Sequence, residues 1–165
     1  MILLGLGANL PSAAHGAPQS SLEAALRRLG EEDTQILTQS RWYRSAPVPA
    51  SGQPWFINGV AIVATRHDPA ALLTLLHRIE GEFGRTRRIK NEARVLDLDL
   101  LDYDGKVTAP AGPGPLLPHP RLHEREFVLR PLAEIAPLWR HPILGLSATA
   151  LLAALPGGQA VKPIE

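Results

Sequence analysis

The stretch that decides the fold is Arg94-Val95-Leu96-Asp97-Leu98-Asp99-Leu100-Leu101. Apolar and acidic residues alternate strictly in it, which predicts a β-strand with Leu96, Leu98 and Leu100 on one face. Asp97 and Asp99 share the other face, roughly 7 Å apart along the strand. Like charges at that spacing repel, and a divalent cation bound between them would relieve the repulsion, since carboxylate oxygens suit Mg²⁺. The alternative is a half-exposed strand whose polar face carries two aspartates.

Cationic residues lead into this strand. The segment from residue 85 to residue 94 contains Arg85, Arg87, Arg88, Lys90 and Arg94. Phosphoryl transfer depends on positioning and charge neutralisation, so these cations ahead of two carboxylates indicate a site for a magnesium-bound polyphosphate. The sequence has no Walker A motif, so side chains would hold the phosphates. His119 and Arg125 are further candidates for that role, although each also fits an ordinary loop or surface residue.

Composition is typical of a soluble globular protein. The chain has 165 residues, 45% of them hydrophobic and 20% charged, which favours one domain over residues 1–165. A net charge of +1 argues against a polycationic nucleic-acid-binding protein, and the lack of cysteine excludes a disulfide framework. The apolar N-terminus has no basic residues ahead of it, and no apolar run approaches the ~20 residues of a membrane span. We expect a cytoplasmic monomer with neither a nucleic-acid nor a membrane partner.

The order of predicted elements points to one fold class. Apolar periodicity and turn residues predict strands over residues 2–7, 35–45, 56–65 and 94–101, with helices over about 20–30 and 68–84. This β-α-β-β-α-β order predicts a ferredoxin-like α+β sandwich, an antiparallel sheet with helices on one face. Beyond it we expect a helical turn or two over Val128–Ala136, broken by Pro131, and a helix over Ser147–Leu155. We expect the tail after about residue 156 to be mobile.

A domain of this order with a cationic loop also fits an RNA-binding module. Such modules stack bases on exposed aromatic side chains of the sheet. Aromatic residues make up only 5% of this chain, and the sequence contains no aromatic run of that kind. An enzyme acting on a nucleoside triphosphate therefore explains more of the sequence.

Five motifs occur in the order found in one enzyme family. They are G-L-G-A-N-L at 5–10, W-Y-R-S-A-P at 42–47, F-x-N at 56–58, R-x-x-D-L-D-L-L at 94–101 and P-H-P-R-L-H-E-R-x-F-V-L at 118–129. Together they resemble the 6-hydroxymethyl-7,8-dihydropterin pyrophosphokinases of folate synthesis, over nearly the whole chain to about Leu155. The resemblance implies the ferredoxin-like fold. It also implies transfer of the β,γ-pyrophosphoryl unit of ATP to the hydroxymethyl group of the pterin, with release of AMP.

The resemblance implies roles for individual residues. Asp97 and Asp99 match the ligands of two Mg²⁺ ions that bridge the triphosphate, and with Arg85 and Arg94 they form the catalytic set. The matches to nucleotide- and phosphate-binding residues are Arg85, Lys90, Arg94, His119 and Arg125. The pterin slot matches Ser45, Val48, Phe56, Asn58, Asp97 and Phe127. Glu80 also matches a family carboxylate, although a partner for Arg85 or Arg88 is as good an interpretation.

One segment departs from the family pattern. The family usually has R-W-G-P-R ahead of the aspartate strand, whereas this chain has Lys90-Asn91-Glu92-Ala93-Arg94. Asn91 replaces a tryptophan that helps to seal the family's site, and Glu92 brings a negative charge to a loop that should meet phosphates. We therefore keep a second hypothesis, a weakened or non-catalytic homologue that binds nucleotide and pterin.

Overall fold

The computed structural model describes residues 1–86 and 90–165, and these follow the predicted order of elements. The strands are β1 (Ile2–Ala8), β2 (Thr34–Gln39), β3 (Tyr43–Ser45), β4 (Phe56–Thr65), β5 (Asp97–Tyr103) and β6 (Val161–Pro163). The helices are α1 (Pro18–Gly30), α2 (Pro69–Glu82), α3 (Glu126–Ile135) and α4 (Ala148–Ala154), with a 3₁₀ turn at Leu122–Glu124 before α3. In the described part of the chain, no helix is long and apolar enough to cross a bilayer.

The strands form an antiparallel sheet in the order β5-β1-β4-β3-β6, and β2 also pairs with β4. The aspartate strand β5 therefore lies at one edge, beside β1. Asp97 is opposite Gly7 and Asp99 is opposite Gly5 in this pairing. The predicted ferredoxin-like α+β fold is confirmed.

Helices cover both faces of the sheet. Leu96, Leu98 and Leu100 are at most 4% exposed and pack in one hydrophobic cluster with α1 and α2, as the alternating pattern predicts. The helices α3 and α4, which follow the β-α-β-β-α-β unit in the chain, pack on the opposite face against Leu3 and Leu101. The two helices of the unit thus share one face as expected, and the C-terminal helices add a second layer that the sequence analysis did not predict.

A β-bulge near the end of β5 changes which residues face each layer. Leu4 pairs with Leu100 and Leu3 pairs with Asp102, so Leu101 is an extra residue in the ladder. Leu101 joins the cluster under α3 and α4, and Asp102 accepts a hydrogen bond of 2.7 Å from Trp139 Nε1 in the same layer. The bulge places two successive side chains on the α3–α4 side of the sheet.

Three sequence predictions need correction. The strand predicted over residues 35–45 is two strands, because the Ser40 hydroxyl accepts a hydrogen bond from Val60 N and donates to Arg41 O between β2 and β3. The predicted break at Pro131 is wrong, since α3 runs through this buried residue. The tail expected to be mobile contains β6, which pairs with β3.

Candidate active site

Asp97 is clamped between two arginines. Arg85 Nη1 donates to its Oδ1 and Arg94 Nη1 donates to its Oδ2. The side chains of Asp97 and Arg85 are 15% and 10% exposed, so the ion pairs are largely screened from water. Both arginines come from the cationic segment that the sequence analysis singled out. Arg87 and Arg88 lie outside the described residues.

Glu80, near the end of α2, supports this clamp from the core. Its side chain is 2% exposed, and its Oε1 accepts hydrogen bonds from Arg85 Nη1 at 2.6 Å and from Leu98 N at 2.8 Å. One buried carboxylate oxygen thus joins the helix, the arginine and the aspartate strand. The sequence offered Arg85 and Arg88 as partners of Glu80. Within the described part of the chain, the structure shows the contact with Arg85.

Asp99 lies two residues further along the same face, between His119 and Arg125. Its Oδ2 is 3.6 Å from Arg125 Nη1 and 4.0 Å from His119 Nε2. Burial, with the neighbouring charge of Asp97, raises the pKa of the Asp99 carboxyl to about 7, although Arg125 and Arg94 oppose the shift. Burial and the repulsion from Asp97 thus disfavour the ionised form of Asp99, and a further cation at this position would stabilise it.

The His119 ring is held in one neutral tautomer. Its Nδ1 accepts a hydrogen bond of 3.1 Å from Arg121 N, so the neutral ring carries its proton on Nε2, the nitrogen nearest to Asp99. The backbone N–H of His119 donates to Leu101 O at 2.8 Å, which ties this loop to β5. Burial and the positive charge of Arg125 lower the pKa of His119 to about 4. His119 is therefore an uncharged donor near pH 7.

A cavity of about 350 Å³ opens beside Asp97, at the end of the sheet where β1 and β3 finish and β4 and β5 begin. Its volume lies in the range of small-molecule sites. The lining residues that the sequence analysis assigned to substrate binding are Ser45, Val48, Phe56, Asn58, Lys90, Arg94, Asp97, Arg125 and Phe127. Among the described residues, Arg85 and His119 do not line it. The structure thus brings the predicted pterin residues and three of the five predicted phosphate residues, Lys90, Arg94 and Arg125, to one cavity, while Asp99 lies on a small adjoining pocket.

The end of the cavity that Phe56 and Phe127 line, called the slot end below, contains the side-chain amide of Asn58, which is fixed by a hydrogen bond. Asn58 and Ser45 are 4% and 2% exposed, and Asn58 Nδ2 donates to Ser45 Oγ at 2.6 Å. Phe56 and Phe127 are half-buried on the lining, and the Arg125 guanidinium carbon lies 5.6 Å from the centre of the Phe127 ring. Aromatic rings beside a fixed amide suit a flat heterocycle with a donor and acceptor edge.

Sequence reasoning missed the residues that hold the loops around the cavity. Asn9 is 1% exposed; its Nδ2 donates to Gln53 Oε1 at 3.1 Å and its Oδ1 accepts from Arg94 N at 2.7 Å. Gln53 Nε2 donates to Asn91 O at 2.7 Å. These bonds link the end of β1, the loop between β3 and β4, and the segment that departs from the family pattern. The G-L-G-A-N-L motif was the only signal that pointed to Asn9.

The aspartate pair has the donor chemistry that Mg²⁺ requires. Within residues 1–86 and 90–165, no group of three or more His, Cys, Asp or Glu side chains forms a self-contained metal site. Mg²⁺ is commonly bound by one or two carboxylates, with waters and substrate phosphates completing its shell. The two carboxylates of Asp97 and Asp99 on one face of β5 fit that arrangement.

Comparison with known proteins identifies a matching family and several relatives of this chain. The profile of the family described as 7,8-dihydro-6-hydroxymethylpterin-pyrophosphokinase matches residues 3–137. The 2-amino-4-hydroxy-6-hydroxymethyldihydropteridine pyrophosphokinase of Haemophilus influenzae is 38% identical over 134 residues, which cover 81% of this chain and 79% of the relative. The protein of the same name from Pseudomonas aeruginosa is 38% identical over 158 residues, covering 94% of this chain and 91% of the relative.

A solved structure supports the fold assignment. It is the crystal structure of an HPPK-DHPS in complex with substrates, which matches with a TM-score of 0.67 over 93% of this chain at 14% identity. At that identity the likeness concerns the fold alone. The match covers 43% of the solved chain, so this chain corresponds to less than half of that longer polypeptide.

Proposed function

This chain belongs to the 7,8-dihydro-6-hydroxymethylpterin-pyrophosphokinase family, and we propose that it transfers the β,γ-pyrophosphoryl group of ATP to 6-hydroxymethyl-7,8-dihydropterin. The hydroxymethyl oxygen bonds to the β-phosphorus of ATP as the bond from that phosphorus to the α,β-bridging oxygen breaks. AMP leaves with the bridging oxygen, and the hydroxyl proton is released. The observation that carries the proposal is that one cavity joins an aromatic slot to the arginine-clamped Asp97, while Asp99 lies on a small adjoining pocket that Asp97 and Phe127 also line.

The slot end of the cavity is the proposed pterin site. Phe56 and Phe127 would hold the flat ring by stacking. Because Asn58 Nδ2 is directed to Ser45, the carbonyl oxygen of that amide is the acceptor offered to a pterin N–H group. Val48, which is 48% exposed, lies on the cavity lining and would cover the ring from the solvent side.

The aspartate end is the proposed triphosphate site. Asp97 and Asp99 would hold Mg²⁺, which when bound neutralises phosphate charge and lowers the barrier by several kcal/mol. Arg94, Arg125 and Lys90 line the cavity and would contact phosphate oxygens. Arg85 stays between Glu80 and Asp97, where it orients the carboxylate. None of these groups needs to act as a base for the transfer to proceed, since positioning and charge neutralisation dominate such reactions.

A nucleotide-product assay tests the proposal. Wild-type protein is expected to form AMP only when the pterin, ATP and Mg²⁺ are all present. Asp97→Asn should lower kcat at least a hundredfold, because it removes one carboxylate charge from the metal and arginine site. Asp104→Asn is the matched control, since this carboxylate is 56% exposed and pairs with the N-terminal amine beyond the end of β5. Formation of ADP, or full activity of Asp97→Asn, would contradict the proposal.

The second candidate function is binding without turnover, and it rests on Asn91 and Glu92 in place of the family's usual residues. The hydrogen bond from Gln53 Nε2 to Asn91 O supports the first proposal instead, because it holds the altered segment beside the cavity that both residues line. Calorimetry separates the two. Binding of ATP and the pterin without any AMP in the product assay would favour the binding protein.

A further inference from the structure

We infer that Gln159, in the C-terminal segment, is a positioning residue for Arg125 and for the wall of the slot that Phe127 forms. The inference rests on the proposed function, because Arg125 is assigned to the nucleotide side of the site. It does not follow from the family motifs, which end before this segment.

Gln159 holds the backbone on both sides of Arg125. Its Oε1 accepts a hydrogen bond of 2.9 Å from Glu126 N, and its Nε2 donates a hydrogen bond of 2.9 Å to Glu124 O. A side-chain amide carries its donor and its acceptor on two separate atoms, which lets Gln159 make both bonds at once. The two residues that it contacts are the immediate neighbours of Arg125 in the chain.

This contact supplies a helix cap that Arg125 cannot make. Arg125 occupies the N-cap position of α3 and forms no side-chain capping hydrogen bond. The first N–H groups of a helix need acceptors, and a guanidinium has none. Gln159 Oε1 takes the place of the missing cap by accepting from Glu126 N. An arginine can therefore stand at this position and direct its charge to the site.

The Arg125 side chain reaches both halves of the site from that position. Its Nη1 is 3.6 Å from Asp99 Oδ2, and its guanidinium carbon is 5.6 Å from the Phe127 ring centre. Both Arg125 and Gln159 are on the lining of the cavity. A shift of the backbone at Glu124–Glu126 would move the phosphate-side charge and one aromatic wall together.

The C-terminal segment around Gln159 also contacts the other side of the slot, which Ser45 and Phe56 form. Ala160 O accepts from Ala46 N at 3.1 Å, and β6 continues this contact by pairing Val161 with Ser45. Ser45 in turn pairs with Phe56 on β4. Gln159 and Ala160 are adjacent, so two successive residues tie the Ser45–Phe56 side of the slot to the Arg125–Phe127 side. This link sets the width of the slot.

Two substitutions of Gln159 test the inference. Gln159→Met keeps the length of the side chain and removes both hydrogen bonds, whereas Gln159→Glu keeps the acceptor for Glu126 N and adds a charge that a helix N-terminus favours. Lys162→Met is the control for a change elsewhere in the same segment, since Lys162 is exposed on β6. Hydrogen exchange of the Glu126 amide measures the contact directly and does not depend on catalysis.

In Gln159→Met we expect exchange of the Glu126 amide to become about tenfold faster and the KM for ATP to rise about tenfold, as the loss of two hydrogen bonds predicts. We expect kcat to stay within about twofold, because no group that contacts the reacting atoms changes. Gln159→Glu should restore slow exchange of the Glu126 amide, and Lys162→Met should match the wild type in both measurements.

Two results would overturn the inference. One is unchanged exchange of the Glu126 amide in Gln159→Met. The other is faster exchange with no loss of ATP affinity. If the wild-type chain forms no AMP, the proposed function fails, and calorimetric affinity for magnesium-ATP then replaces KM. A weaker affinity in Gln159→Met alone would still support the positioning role, and equal affinities would refute it.

Discussion

At the scale of single residues, the site depends on charges that are buried next to one another. Glu80 and Asp97 both bind Arg85, so three charged groups share a nearly water-free space. Removing one of these groups lowers the free energy of unfolding by more than the intact set contributes to it, because a buried charge is left unpaired. The arrangement fixes Asp97 at the edge of the cavity before any substrate arrives.

A second buried group at this scale is His141, in the loop between α3 and α4. Its ring is 4% exposed, and its Nδ1 accepts hydrogen bonds from Ile143 N and Leu144 N. Burial lowers the pKa of His141, as does the neighbouring His123, whereas Asp102 acts in the opposite direction. The folded protein therefore keeps this ring neutral.

The pKa of His141 predicts a pH dependence of stability. As the pH falls below about 6.5, the ordinary histidine pKa, the unfolded chain gains a proton that the folded chain resists, so the free energy of unfolding decreases. His141→Asn keeps an acceptor for the two N–H groups and cannot titrate. Urea denaturation at pH 7.5 and pH 5.5 should show a smaller decrease for His141→Asn than for the wild type.

The matched control for this measurement is Leu138→Asn, since Leu138 is 92% exposed in the same loop and does not titrate. We expect it to keep the pH dependence of the wild type. Equal decreases in the wild type and in His141→Asn would show that His141 does not contribute to acid sensitivity.

At the scale of elements, close packing explains where strands approach each other. Trp42, just before β3, is 8% exposed and lies over Gly59 in β4. A Cβ at Gly59 would be 2.7 Å from Cζ3 of the Trp42 ring, well inside van der Waals contact. The strand that carries Asn58 and Phe56 therefore needs a glycine next to them.

Two glycine-to-alanine variants are expected to change stability in opposite directions. Gly59→Ala should lower the free energy of unfolding by roughly 1–3 kcal/mol, the usual cost of overpacking a core. Gly81→Ala, on α2 where a Cβ would meet nothing within 4 Å, should raise it by about 0.5–1 kcal/mol through helix propensity. Chemical denaturation measures both, and a Gly59→Ala variant as stable as the wild type would contradict the packing argument.

At the scale of the whole molecule, the second helical layer creates the site. The first layer, α1 and α2, buries the leucine face of β5 and supplies Glu80, which holds Arg85 in the clamp. Asp97 and Asp99 point to the other face, where α3 brings Phe127 and its N-cap residue Arg125. A four-stranded unit with helices on one face would leave the aspartates on an open sheet surface.

Ligand binding should stabilise the whole chain in a metal-dependent way. Magnesium-ATP at 100 times its Kd is expected to add about 2.7 kcal/mol to the free energy of unfolding and to raise Tm. Chelation of Mg²⁺ should remove most of that shift, as should Asp97→Asn, whereas Asp104→Asn should retain it. Thermal denaturation checks this, and an equal shift with and without Mg²⁺ would refute the metal assignment.

The fold class and the family of this protein can be predicted from its sequence. The alternation around Asp97 and Asp99 correctly predicted a strand with one buried leucine face, and the order of elements correctly predicted the α+β class. The motifs from Gly5 to Leu129 identified the family, which the comparisons confirm. Patterns of this kind are local, because each depends on residues a few positions apart in the chain.

Tertiary structure alone decided what surrounds the aspartates. The contact of Arg85 with Asp97, the link from Asn9 through Gln53 to Asn91, and the cap that Gln159 gives to α3 all join segments from separate elements. Gln159 follows Glu126 by 33 residues and lies in the tail for which the sequence predicted only mobility. A hydrogen bond between distant residues depends on where two backbones meet, and hydrophobic periodicity carries no information about that position.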